Sequence, residues 1–186
     1  MNYNTDINII GSIPDYHLIY KSLPLLYAQD EMLEKILVTD NEFNLRTEKS
    51  RKRFLSVLSS AFVTENNSLN DFVGELFAEQ AIDEDTKGII LFWLFSINNR
   101  LFLELNRDVF LTYLYQGRAE LPVTDVIAYL KDVISRHSEM KGKWSEETIK
   151  TIASKYLTTL VKLNLMEGRA KKRFRFIRIT DELIVC

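Results

Sequence analysis

The sequence predicts a compact, mainly α-helical fold finished at its C-terminal end by one short β-hairpin. Three observations predict it. Apolar residues recur at i, i+3, i+4 and i+7 in nearly every segment, the spacing of amphipathic helices. Glycine and proline are scarce, six and three in 186 residues, and 46% of the chain is apolar, as in a folded, helix-rich protein. Strict two-residue alternation is confined to Arg173–Ile179, near the C-terminal end.

Leu23, Leu25 and Leu26 open the first apolar segment, and Met32, Leu33, Ile36 and Leu37 continue it at helical spacing. Asp40-Asn41-Glu42 reads as a turn. A helix from about Thr47 to Phe62 then places Phe54, Leu55, Leu58, Ala61 and Phe62 on one face. Ser68 is expected as an N-cap with Asp71 three residues on, ahead of the stripe Leu69, Phe72, Val73, Leu76 and Phe77. Asp83-Glu84-Asp85 sets negative charge where a helix dipole favours it, opening a helix from Thr86 to about Ile97. Another follows from about Asn99 to Tyr115. Phe92, Trp93, Phe95, Phe102, Phe110, Tyr113 and Tyr115 of this pair are expected in the core, and Gly117 ends it as a C′ glycine would.

Leu121-Pro122 marks an expected boundary between an N-terminal helical subdomain, 1–120, and a C-terminal one, 121–186. In the second, Val126, Ile127, Leu130, Val133 and Ile134 make a helix that closes near His137. Gly142 breaks the pattern and Ser145 starts the next helix, with Trp144 and Ile149 at hydrophobic-staple spacing. Ile149, Ile152, Ala153, Tyr156, Leu157 and Leu160 should face inward. Lys150, Thr151, Ser154, Lys155, Thr158 and Thr159 should face outward. A short run, Leu163 to Met166, precedes the basic turn Arg169-Ala170-Lys171-Lys172-Arg173.

Catalytic chemistry finds little support. The two histidines, His17 and His137, lie far apart, and the one cysteine is Cys186, so neither a zinc site nor a disulfide framework is written here. The glycines are scattered and none opens a phosphate loop. The expectation is a protein without enzymatic activity, metal or cofactor. Residues Met1–Asp6 lack the basic and apolar regions of a signal peptide, and the longest apolar run, Ile89–Phe95, falls far short of the roughly 20 residues that cross a bilayer. A soluble, cytoplasmic protein with no membrane contact is expected, with a monomer favoured.

Charge is more informative. Residues 141–178 hold eleven Lys and Arg against Glu146, Glu147 and Glu167, a net of +8 in a chain whose total is −2. Such asymmetry points to a nucleic acid or another anionic surface, although a solvated basic face with no partner has the same composition. Helix, tight basic turn and alternating strand is the order of a winged helix-turn-helix. Strand periodicity puts Arg173 and Arg175 on one face, with Phe174 and Phe176 buried on the other. Lys171 and Lys172 fall at the wing tip. Alternating basic and aromatic residues also occur in single-strand binders, where the rings stack on bases. Lys150 and Lys155 suit phosphates, while Thr148 and Thr151 suit groove contacts. A second helix-turn-helix-like element is expected where Arg46, Lys49, Arg51, Lys52 and Arg53 precede or open the helix that runs to Phe62, after a helix of about Asp30 to Val38, although an exposed helix face of ordinary charge has the same sequence.

The chain resembles the BrxA family, small core components of bacterial BREX phage-exclusion systems. Leu23-Pro24-Leu25-Leu26 and the acidic helix after it carry the resemblance. So do Arg51-Lys52-Arg53-Phe54-Leu55, the aromatic central helices and Trp144-Ser145-Glu146-Glu147-Thr148. It runs from roughly Tyr16 to Ile179. It implies a helical, cytoplasmic protein with two helix-turn-helix-like elements that binds double-stranded DNA without enzymatic activity and acts beside other BREX components in phage defence. The alternatives are an adaptor that holds another protein of the defence complex and a NusB-like RNA-binding protein.

Overall fold

The computed structural model describes residues 3–28, 31–42, 44–79, 82–137 and 140–176. The described residues are mainly helical, 69% in helix and 3% in strand. Two compact units divide the chain: Met1–Ser12 with Asn99–Cys186, and Ile13–Asn98. The first is therefore made of two stretches of sequence, and the second is the stretch that lies between them in sequence. This partition differs from a division at residue 120, because the helices of 100–115 pack in the same unit as those after Pro122.

In the Ile13–Asn98 unit the elements are α2 (His17–Tyr27), α3 (Glu31–Glu34) running into a π-helical turn (Lys35–Thr39), α4 (Glu48–Phe62), α5 (Asn67–Ala78) and α6 (Glu84–Asn98). The expected segment from Leu23 to Leu37 is thus two helices, the first beginning six residues earlier and containing Pro24. α2 packs along α5 at Gly74, where an added Cβ would stand 3.3 Å from the Tyr27 ring. The core holds Ile19, Leu23, Leu37, Leu58, Phe62, Leu91 and Phe95, each burial worth about 1.5–3 kcal/mol. The N-cap of α5 is Asn66, whose side chain accepts from the Leu69 amide, and not Ser68. Asn and Ser are about equally good at this position, and a shift of two residues in the helix start decides between them. Asp83 caps α6 through the Thr86 amide at 2.8 Å, which with the Thr86 hydroxyl holds its carboxyl below the usual range.

The other unit opens with a helix the apolar spacing did not announce, α1 (Asp6–Ile10), whose Ile7 and Ile10 are buried. Then come α7 (Arg100–Leu105), a π-helical turn (Asn106–Phe110), α8 (Leu111–Tyr115), α9 (Val123–Arg136), α10 (Glu146–Lys162), β1 (Met166–Glu167) and β2 (Arg173–Phe174). The π turn has a visible use: the buried Tyr156 hydroxyl of α10 donates to Asn106 Oδ1 at 2.9 Å, while the Tyr156 ring meets Phe102 edge-on. Two tyrosines fasten α9, Tyr113 to Asp125 and Tyr129 to Asp108. Gly117 ends α8 at φ +67°, and Ser145 caps α10 by accepting from the Thr148 amide, both as expected. Near the chain start, Tyr3 donates to Glu104 at 2.8 Å beneath the Arg100 guanidinium. Burial first, then this carboxylate, pushes its hydroxyl up to about 12.

The aromatic central helices only partly form core. Phe95, Phe102 and Phe110 are buried, whereas Trp93 and Tyr115 are exposed, Tyr115 at 83%. Phe72 of α5 is also exposed. High aromatic density had hidden the fact that α6 turns one flank, Trp93 and Ile97, outward.

Candidate nucleic-acid interface

The C-terminal basic segment folds as a small hairpin on the end of α10. β1 and β2 pair antiparallel, Met166 with Phe174 and Glu167 with Arg173, and Arg173 also bridges to Glu120, between α8 and α9. β2 is therefore the middle member of this ladder. Leu121 N–H donates to the Lys172 carbonyl and Phe174 N–H to the Ala119 carbonyl, so the third member is anchored on both sides. Gly168 makes the turn possible. Its φ is +96°, and a Cβ there would stand 2.2 Å from the Lys171 carbonyl oxygen.

Phe174 reaches inward and its ring lies 5.3 Å from that of Phe110. Phe176 does not follow it: the side chain is 92% exposed, because pairing stops at Phe174 and no sheet face lies beneath residue 176. Ile177, Arg178 and Ile179 of the expected strand, and Cys186, lie outside the described residues.

α10 presents Lys150 and Ser154 to solvent, with Thr151 and Thr158 half-buried beside them. Thr159, expected on this face, is fully buried, and its hydroxyl donates to the Lys155 carbonyl. The cause is α1, which packs on α10 so closely that a Cβ at Gly11 would come within 2.6 Å of that same carbonyl. Lys155 is accordingly half-buried. Lys162 of the same flank donates to the Gly11 carbonyl at 3.3 Å. Thr148 spends its hydroxyl on Ser145, 2.9 Å away, at the head of the helix.

Ser154, Leu157 and Thr158 of α10 share one open groove of about 430 Å³ with Pro122, Val123 and Thr124 at the start of α9 and with Arg169, Lys171 and Lys172 of the hairpin turn. Lys171 is exposed. Lys172 is partly desolvated, which lowers its ammonium, and it donates to the Gly168 carbonyl at 2.8 Å. Arg173 is ion-paired with Glu120 at 3.3 Å, and Arg175 is half-buried, its amide donating to the Leu165 carbonyl. α9 starts after Pro122 with no side-chain cap, so the Val123 and Thr124 amides stand at the groove, while the Asp125 amide donates to the Pro122 carbonyl and the Asp125 carboxylate lies in the same turn.

The first basic cluster separates into two kinds. Thr47 caps α4 through the Ser50 amide, and Arg46, Lys49 and Arg53 are exposed around that helix start. Lys52 is neutralised by Glu48 one turn back, at 2.6 Å. Arg51 turns inward and donates to the carbonyl of Val38, in the π turn after α3, with its Nε buried. The sequence offers five similar cations. Only the fold shows that one of them closes a helix end.

Among the described residues no group of three or more His, Cys, Asp or Glu could hold a metal ion, and no single helix is long and apolar enough to cross a membrane. No curated protein matches the chain. The BrxA family does, over residues 20–186, from the middle of α2 onward. With nine-tenths of its length matched, the chain belongs to the BrxA family, and so to the proteins of BREX phage defence.

Proposed function

We propose that this protein is a non-enzymatic, cytoplasmic double-stranded DNA-binding component of a BREX system, and that its main contact is a winged helix-turn-helix in the unit that carries α9 and α10. One observation supports this above the rest. α8, the bridging residue Glu120, α9, α10, β1 and β2 follow in the order of that motif, with β2 central in the ladder, as the returning wing strand is. In such motifs the second helix enters the major groove and the first crosses the backbone. α10 takes the first role and α9 the second, its uncapped amides favouring a phosphate. The turn at Arg169, Lys171 and Lys172 then meets the flanking backbone. Arg46, Lys49 and Arg53 supply a second, separate footprint.

Setting aside Arg173, which is paired with Glu120, and Arg175, the exposed and half-exposed cations at the main contact are Lys150, Lys155, Arg169, Lys171 and Lys172. If all five neutralise phosphates, the main contact alone gives log K a slope of about −4.5 against log salt, a drop of roughly 500-fold between 50 and 200 mM, and the second footprint steepens it. Anisotropy titrations of a labelled duplex across that range test the reading, beside a Lys171→Glu/Lys172→Glu variant and a structured RNA competitor. Salt-steep duplex binding that the variant loses and RNA does not displace is expected. A slope near zero in the wild type would leave the basic turn to a protein partner, with the adaptor role in its place.

A further inference from the structure

The outward stripe of α10 is Glu147, Lys150, Thr151, Ser154 and Thr158, spaced by three or four residues so that all lie on one side of the helix. Four of the five suit a polyanion. Glu147 does not. A carboxylate facing phosphates is repelled by each of them, so its place at the head of this stripe needs another cause.

Helix stability is one available cause, since acidic residues favour the first turn. That role is shared by Glu146 and Glu147, both in the first turn, and it does not require a carboxylate on the outward stripe. Ser145 caps the helix, and Glu146 supplies a first-turn carboxylate while holding Lys131 of α9 at 2.8 Å. Glu147 has no ion-pair partner among the described residues and is exposed. It stands two turns before Ser154, which lines the groove with the wing. The N-terminal residues of a helix in this position reach deepest toward base edges.

Base edges offer what phosphates cannot. The cytosine 4-amino group is a hydrogen-bond donor in the major groove, and Glu or Asp is the side chain that accepts from it. We infer that Glu147 is a specificity-determining residue that accepts a hydrogen bond from a cytosine 4-amino group, an assignment that rests on duplex DNA being the ligand of α10. Lys150 and Lys155 then supply affinity without sequence information, and Glu147 gives up some of that affinity to select a base.

The test is selection of duplexes from a random library by the full-length protein, by Glu147→Ala and by Glu147→Gln, with thermal unfolding to confirm that all three are folded. The wild type should favour cytosine at one position by roughly 5- to 10-fold, the lower end for a single hydrogen bond. Glu147→Ala should lose that preference and bind random duplex more tightly, because a repelling charge is gone. Glu147→Gln should move the preference toward adenine, whose N6 and N7 a glutamine side chain reads as a pair. A purely helix-stabilising residue would produce no such shift of base. The assignment is overturned if all three proteins select the same bases, while loss of duplex retention in Lys171→Glu/Lys172→Glu would keep the DNA reading intact. If the wild type retains no duplex at all, the DNA reading falls and takes this assignment with it.

Discussion

Replacing Gly168 with alanine tests whether the hairpin is a fixed part of the fold. Two costs apply at that residue. Its φ of +96° lies where L-residues are strained, and its Cβ would sit 2.2 Å from the Lys171 carbonyl oxygen. Gly117 separates the two, since its φ is +67° and nothing lies within 4 Å of an added Cβ. Gly117→Ala should therefore cost about 1 kcal/mol, the left-handed backbone alone. Gly168→Ala should cost roughly 2–4 kcal/mol, because the carbonyl must also move. That movement pulls on the Leu121–Lys172 and Phe174–Ala119 hydrogen bonds and on the Phe174–Phe110 contact. Urea denaturation of both variants against wild type gives the energies, and amide exchange at Phe174 and Arg175 shows whether the hairpin opens by itself. Equal costs at the two glycines, with wild-type protection at Phe174, would refute the argument that Gly168 is sterically required.

Arg51→Ala should lower stability by about 1–3 kcal/mol, since the Val38 carbonyl loses its partner, and should leave the salt slope of duplex binding nearly unchanged. Lys49→Ala should do the reverse, and the paired titrations distinguish them. Tyr156→Phe should cost about 1–2 kcal/mol in urea denaturation, by removing the buried bond to Asn106. Asp108 is held below its ordinary value of 3.8, chiefly by Arg107 and then by Tyr129. It thus contributes stability above that value which is lost as pH falls through its folded-state value, and Asp108→Asn should show a shallower acid limb in thermal unfolding. Tyr3 has the opposite sign. Its contribution is intact below pH 10 and disappears between about 10 and 12, so Tyr3→Phe should flatten the alkaline limb there.

The long helices could be read in advance because each carries one apolar stripe and a chemically plain end. Ser145 and Gly117 are examples, a hydroxyl at a helix start and a glycine at positive φ. What escaped reading depends on contacts between distant segments. α1 has five residues and no periodicity to display, yet it decides that Thr159 is buried and Lys155 half-covered. Arg51 has the composition of its neighbours, and only the position of the Val38 carbonyl singles it out. Phe176 satisfies the alternation of a strand, but alternation buries nothing without a sheet beneath it. In the candidate interface the order of elements and the basic turn were legible. Which cations are already engaged, as Arg173 is with Glu120, was not.

Gly11 and Lys162 are joined by a hydrogen bond although 151 positions separate them. A ribosome adding 5–20 residues per second needs roughly 8–30 s to make that stretch. Throughout that interval Ile7 and Ile10 have been synthesised and their binding face on α10 has not. Residues 13–98 can meanwhile complete their own core, because their partners are already present. Residues 13–98 can therefore finish their core before α1 finds its place, and α1 stays uncovered on its α10 side until that helix arrives. Chaperone capture and proteolytic nicking of unfinished chains should concentrate at α1.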